Sequence, residues 1–66
     1  MELFIKKMIT EKDDLIGKIK KAENAITNNP FNMDKEERDL LKEQIPYMKS
    51  YLAILQSRID YNIERK

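Results

Sequence analysis

The chain has 66 residues and contains neither Cys nor His. That length holds one domain at most, and the composition excludes disulfides, thiolate metal sites and the commonest nitrogen metal ligand. With 13 basic and 12 acidic side chains, a net charge of +1, it lacks the clear basic excess of a general nucleic-acid binder.

The first predicted element is a helix over about 2–28. Met1, Ile5, Met8, Leu15, Ile19, Ala22 and Ile26 recur at alternating spacings of four and three, with Lys12 filling the one missing position. That is a near-heptad helical stripe, widened on one side by Ile9 and Ile16. Thr10 sits three before Asp13, a capping-box-like spacing. Two readings therefore stand at Thr10: one continuous helix, or a break near residue 10 into a short N-terminal arm and a main helix.

A turn over 29–33 follows. Pro30 disfavours helical backbone at Asn29, and Asn tolerates the left-handed conformation that ends helices. Phe31 and Met33 are expected to fold back over the helix ends. Asp34 opens the second helix, predicted over about 34–63, with Glu37 at its third position. Glu36, Glu37 and Asp39 suit the positive end of its dipole; Arg58, Arg65 and Lys66 lie toward the other end.

The second stripe, Leu41, Ile45, Met48, Leu52, Leu55 and Ile59, has the same repeat, and Leu40, Tyr47, Tyr51 and Ile54 form a second apolar flank. Pro46 falls inside this helix and removes one hydrogen bond. Because the period continues through it, a kink near Pro46 is expected and not an end. The kink reads either as curvature around the first helix or as a notch that admits a partner.

Folding the chain about residue 31 pairs layers whose residue numbers total about 63. Ala22 then meets Leu41, Ile19 meets Ile45, Leu15 meets Met48, Met8 meets Leu55, and Ile5 meets Ile59. Ile26 falls opposite Arg38, and Lys12 opposite Tyr51, where its stem can cover the ring. At 1.5 Å per residue the helices span about 40 and 45 Å, matched lengths for an antiparallel hairpin. The expected fold is all-α: a single domain over 1–66, a two-helix hairpin that assembles into a homo-oligomeric bundle. Two helices cannot enclose a core, so Ile9, Ile16, Leu40, Tyr47 and Ile54 stay partly exposed, and small domains without disulfides or metal commonly oligomerise. A dimer, giving a four-helix bundle, is the default building block.

Nothing in the chain resembles a catalytic constellation. Gly17 is alone, so there is no phosphate-cradling loop, and no nucleophile–base pairing stands out among Ser50, Ser57, Thr10 and Thr27. The chain is read as no enzyme, with no cofactor and no metal. No apolar run approaches the ~20 residues of a membrane span, and the opening Met1–Lys7 stretch is too short for a signal peptide. A cytoplasmic protein is expected.

The lysines carry the one chemical hint. Lys6 and Lys20 fall nearly on one face of a continuous helix, and Lys7, Lys18 and Lys21 share a neighbouring face. They read as a solvated face balanced by Glu11, Asp14 and Glu23, or as a phosphate site completed by another subunit. Phe4 reads either as a cap on the open end of the hairpin near Ile59 or as a stacking surface for a base. Tyr47 and Tyr51 read first as interface packing.

The stretches Glu11–Lys20 (EKDDLIGKIK), Leu40–Gln44 (LLKEQ) and Tyr47–Ile59 (YMKSYLAILQSRI) resemble small phage helical-hairpin proteins akin to a crAss-like phage product, a group similar to the phage anti-CBASS hairpin sponges. The resemblance covers about residues 3–61. It implies a compact homo-oligomer, often a hexamer, that sequesters cyclic di- or oligonucleotide immune signals without cleaving them, with no polymeric nucleic acid and no membrane as partner. In such sponges an aromatic on the N-terminal arm and a lysine on the first long helix hold the ligand. By pattern these fall at Phe4, one residue off the motif position, and at Lys20, with Lys6 and Lys7 as neighbouring cations. The sponges' second site uses an arginine and a threonine on the second helix. Lys42-Glu43-Gln44-Ile45 departs from that pattern, so no second site is claimed. The alternative is a helical interaction module that docks on a host or phage protein.

Overall fold

In the computed structural model, which describes residues 2–64, two helices, α1 (Glu2–Asn28) and α2 (Lys35–Glu64), pack side by side as an antiparallel hairpin. The molecule is a rod with extents of 49 × 17 × 13 Å. Met1, Arg65 and Lys66, which the sequence reading placed in the first stripe and at the C-terminal end, lie outside the described residues. Among the described residues the last turn of α2 carries no basic side chain, because Arg58 falls more than a turn before Glu64.

The buried face of α1 is Ile5, Met8, Leu15, Ile19, Ala22 and Ala25, and that of α2 is Ile45, Leu55 and Ile59. Among the described residues no polar or charged residue is buried, so the interior of the seam is apolar and polar contacts between the helices lie at its exposed edges. Its tightest part is the open end, where Ile5, Met8, Leu55 and Ile59 form one cluster flanked by Ile9, and Leu55 is 0% exposed. Met8 against Leu55 and Ile5 against Ile59 are the layers expected from the paired stripes.

Toward the turn the packing departs from expectation. Ala25 is buried where Ile26 was expected, and Ile26 is half-buried. Strict heptad counting drifts on a helix of 3.6 residues per turn, and at the end of α1 the drift carries Ala25 into the seam. Leu41, Met48 and Leu52 are likewise half-buried. A single partner helix covers only part of their stripe.

Helix α1 passes through Thr10 without a break, so there is no separate arm. The buried pair Met8 and Leu15 spans this point on one face, and unbroken helix keeps both against α2. At the turn, Asn29 ends α1 with φ 46° while its amide still donates to the Ala25 carbonyl at 3.0 Å. The Asn29 carbonyl then accepts the Asn32 amide at 3.0 Å around Pro30 and Phe31, and Asn32 also has positive φ (53°). This is a β-turn with Pro at its second position, where fixed φ is favourable. The Asn29 side chain clamps the loop from both sides: Oδ1 accepts the Met33 amide at 2.7 Å, and Nδ2 donates to the Met33 carbonyl at 3.0 Å.

Phe31 does not fold back over the helix ends. It is 80% exposed, because the turn points it outward while Met33 takes the half-buried place. Asp34 is the N-cap of α2, with Glu37 at the third helical position as expected: the Asp34 Oδ1 accepts the Glu37 amide at 2.9 Å. Lys35 Nζ donates to Asp39 Oδ2 at 2.8 Å, which lowers the Asp39 pKa, but both partners are too exposed for the pair to matter much to stability.

Pro46 sits exposed inside α2, and the helix continues on both sides of it. Pro46 has no amide to donate to the carbonyl four residues back, that of Lys42, and both residues are exposed, which favours water as the substitute donor.

Two substitutions test this account by chemical denaturation. Leu55→Ala should lower the unfolding free energy by about 2–5 kcal/mol, since Leu55 is the most enclosed side chain of the seam. Gly17→Ala should raise it by about 0.5–1 kcal/mol, because a Cβ there meets nothing within 4 Å and Gly is a poor helix former.

Candidate functional site

Because α1 is one unbroken helix, the spacing of its residues fixes where the candidate ligand groups stand. Phe4, Lys6 and Lys7 occupy a single turn at the open end, all exposed. Phe4 is not part of the buried cluster beside it, so its ring face is available to a ligand. Lys20 is exposed as well, but lies about 21 Å from Lys6 and about 24 Å from Phe4 along the axis, at 1.5 Å per residue. It also stands about 140° round the helix from Lys7. One hairpin therefore sets Phe4 and Lys7 on one side of the open end, turns Lys6 about 160° round the helix from Phe4, and leaves Lys20 about 21 Å further along the axis.

The structure adds a feature that the sequence reading did not single out. A shallow cleft of about 320 Å³ runs along one side of the α1–α2 seam, lined by Lys7, Thr10, Glu11, Asp14, Leu15, Lys18 and Tyr51. The Tyr51 hydroxyl donates to the Glu11 carboxylate across the seam, while Lys12, expected opposite Tyr51, is half-buried. On the other side Lys49 Nζ meets Glu23 Oε2 at 3.1 Å, a diagonal reach well off the layer register. The two sides of the hairpin thus differ: one is tied by Lys49 and Glu23, and the other presents Lys7 and Lys18 with Glu11 and Asp14 between them. Helical spacing places Lys21 and Phe4 on this second side too, at its two ends.

Among the described residues no group of His, Cys, Asp or Glu could hold a metal ion, and no helix is long and apolar enough to cross a membrane. The chemistry on offer is that of ammonium groups beside an aromatic ring: charge-assisted donors for phosphate and a stacking face for a base.

A family model described as Sequestin matches residues 2–61. No curated protein and no solved structure matches the chain. The match spans both helices and the turn between them, and the chain belongs to the Sequestin family. This is the sponge-type relationship that the resemblance implied.

The cross-seam bond makes a local prediction. Tyr51→Phe keeps the ring and loses the donor to Glu11, and should cost about 1 kcal/mol in denaturant unfolding while leaving helicity unchanged.

Proposed function

From membership of the Sequestin family, we propose that this protein is a phage anti-defence sponge, of the kind that counters CBASS, which binds cyclic di- or oligonucleotide immune signals and withholds them without cleaving them. The observation that carries the reading is the family match over residues 2–61, whose name denotes sequestration. The site chemistry is compatible with it. Phe4 offers a stacking face, and Lys6, Lys7 and Lys20 offer cationic donors to phosphate, with no nucleophile or metal needed for a function that only holds its ligand. The separation of Lys20 from Phe4 means that a ligand touching both is held between chains. The sponge is accordingly a homo-oligomer built from dimers, with a hexamer as the family-like assembly, acting in the host bacterial cytoplasm.

A second reading is a helical interaction module that docks on a host or phage protein. The exposed apolar side of α2 favours it. Copurification separates the two: a sponge retains a small molecule absorbing at nucleotide wavelengths, and a docking module retains a protein.

Calorimetry with a panel of cyclic di- and trinucleotides tests the proposal. At least one should bind, and heat denaturation should release it chemically intact. Lys20→Ala should weaken binding at least about tenfold, since a charge-assisted contact is worth about 1.5–3 kcal/mol. Lys20 is exposed, so the hairpin itself should be undisturbed. Absence of heat for the whole panel at protein concentrations of tens of micromolar would rule the reading out.

A further inference from the structure

On the outer side of α2, Leu40, Tyr47, Ile54 and Tyr61 recur at a strict seven-residue interval and are each more than half exposed. Such a row winds slowly round a helix and stays against one neighbour only if that neighbour is another helix coiled with it. Helix α1 is not that neighbour, because its seam is the row beginning at Leu41 and Ile45. The surface area agrees that something is missing. A compact monomer of 7.9 kDa exposes about 4,400 Å². This chain exposes 5251 Å². The surplus of about 800 Å² is what one partner contributes to a standard interface. The row also has relief: Tyr47 projects, 77% exposed, while a groove of about 540 Å³ lies between Ile54 and Tyr61, bordered by the small Ala53 and Ser57.

We propose that a second copy of this chain packs antiparallel on the Leu40–Tyr47–Ile54–Tyr61 face, and that this brings Phe4 and Lys7 of one copy level with Lys21 and Lys18 of the other. The antiparallel sense follows from three features. It sets each tyrosine against an aliphatic partner, Tyr47 on Ile54 and Leu40 on Tyr61, whereas a parallel pair stacks each residue on itself. It opposes the two helix dipoles. It separates the acidic first turns, Glu36 and Glu37, that a parallel pair crowds together. The two-fold axis then passes between Ser50 and Tyr51, and the small Ser50 side chain admits close approach.

The levels of the α1 residues follow from the hairpin register. Phe4 stands level with Ile59; across the two-fold, Ile59 meets the level of Lys42, and within a hairpin Lys42 stands level with Lys21. By the same path Lys7 meets Lys18. Lys7 and Lys18 line the side on which the second copy sits, the side already marked by Tyr51 and Glu11, and helical spacing sets Phe4 and Lys21 on either edge of it. Glu11 and Asp14 of both copies gather at the middle. Each end is left with a phenylalanine ring and three lysines drawn from two chains. That is a niche for a phosphate-bearing ligand with an aromatic base, present twice by symmetry, and it adds Lys18 and Lys21 to Lys20, which the family pattern points to on the same turn of α1. Only this use of the niche rests on the sponge reading; the interface does not.

Two measurements on the ligand-free full chain test the interface. Light scattering should give a dimer or a multiple of it for the native chain. Tyr47→Glu should give a monomer of unchanged helicity, as the side chain projects into solvent in the single hairpin. A native monomer at tens of micromolar, or a Tyr47→Glu chain that keeps the full assembly, would overturn the proposal. Amine cross-linking of mixed isotope-labelled and unlabelled native chains is independent of any variant's folding. It should yield inter-chain Lys7–Lys18 links; Lys7–Lys7 and Lys18–Lys18 links in their place would overturn the antiparallel arrangement. If the links form but no cyclic nucleotide binds, the interface stands and the sponge reading falls.

Discussion

Leu55 is sealed against Ile5, Met8 and Ile59 at the end of the hairpin farthest from the turn, and the rest of the molecule is arranged so that this contact can form. With no Cys to form a disulfide, and no strand among the described residues, two helices must arrive side by side over their full length. That demands a turn of fixed geometry at one end and apolar closure at the other. Between them the buried residues are apolar, while near the turn the Arg38 Nε lies buried without a hydrogen-bond partner. The stabilisation is therefore non-directional, and the apolar pattern and the turn together determine how the helices align.

The turn fixes the alignment. Asn29 stops α1 by taking a left-handed backbone conformation and then uses its side chain to hold Met33, while Asp34 caps the next helix three residues before Glu37. Pro30 restricts the loop between them. These local devices set which residue of α2 faces which residue of α1, and the apolar layers reward the same register. Pro46 is tolerated on an exposed side of α2, where water can replace the donor that its ring removes. The same exposure explains why polar side chains on both helices bond mainly to neighbours four residues away, as Gln56 does to Asp60 at 2.9 Å.

A rod of two helices has far more surface than its one seam can hide. The consequence is unequal use of its sides. Around α2 the apolar residues divide into a row against α1 and a row in water, and around α1 the charges divide between Lys6 and Lys20 on the back and Lys7, Lys18 and Lys21 beside the cleft. Ligand groups strung along a straight helix cannot converge on one small molecule, since each turn adds about 5.4 Å of separation. In the arrangement we propose, a second chain running the other way supplies that convergence.

The sequence by itself determined the two helices, their antiparallel pairing and the layers at the open end, because apolar residues at spacings of three and four admit few other arrangements and Asn29, Pro30 and Asp34 are turn and cap residues by their own chemistry. It also carried the family resemblance. Only the tertiary structure decided that α1 runs unbroken through Thr10, where the buried pair Met8 and Leu15 outweighs a local capping option, and that Ala25 and not Ile26 lies in the seam, where helical drift outweighs heptad counting. It decided that Phe31 faces water, because the turn's dihedral angles and not its apolarity orient it. And it separated Lys20 from Phe4 while gathering Lys7, Lys18 and Tyr51 on one cleft: which charged side chains share a side of a hairpin depends on where the second helix lies, and that is set by packing across the seam.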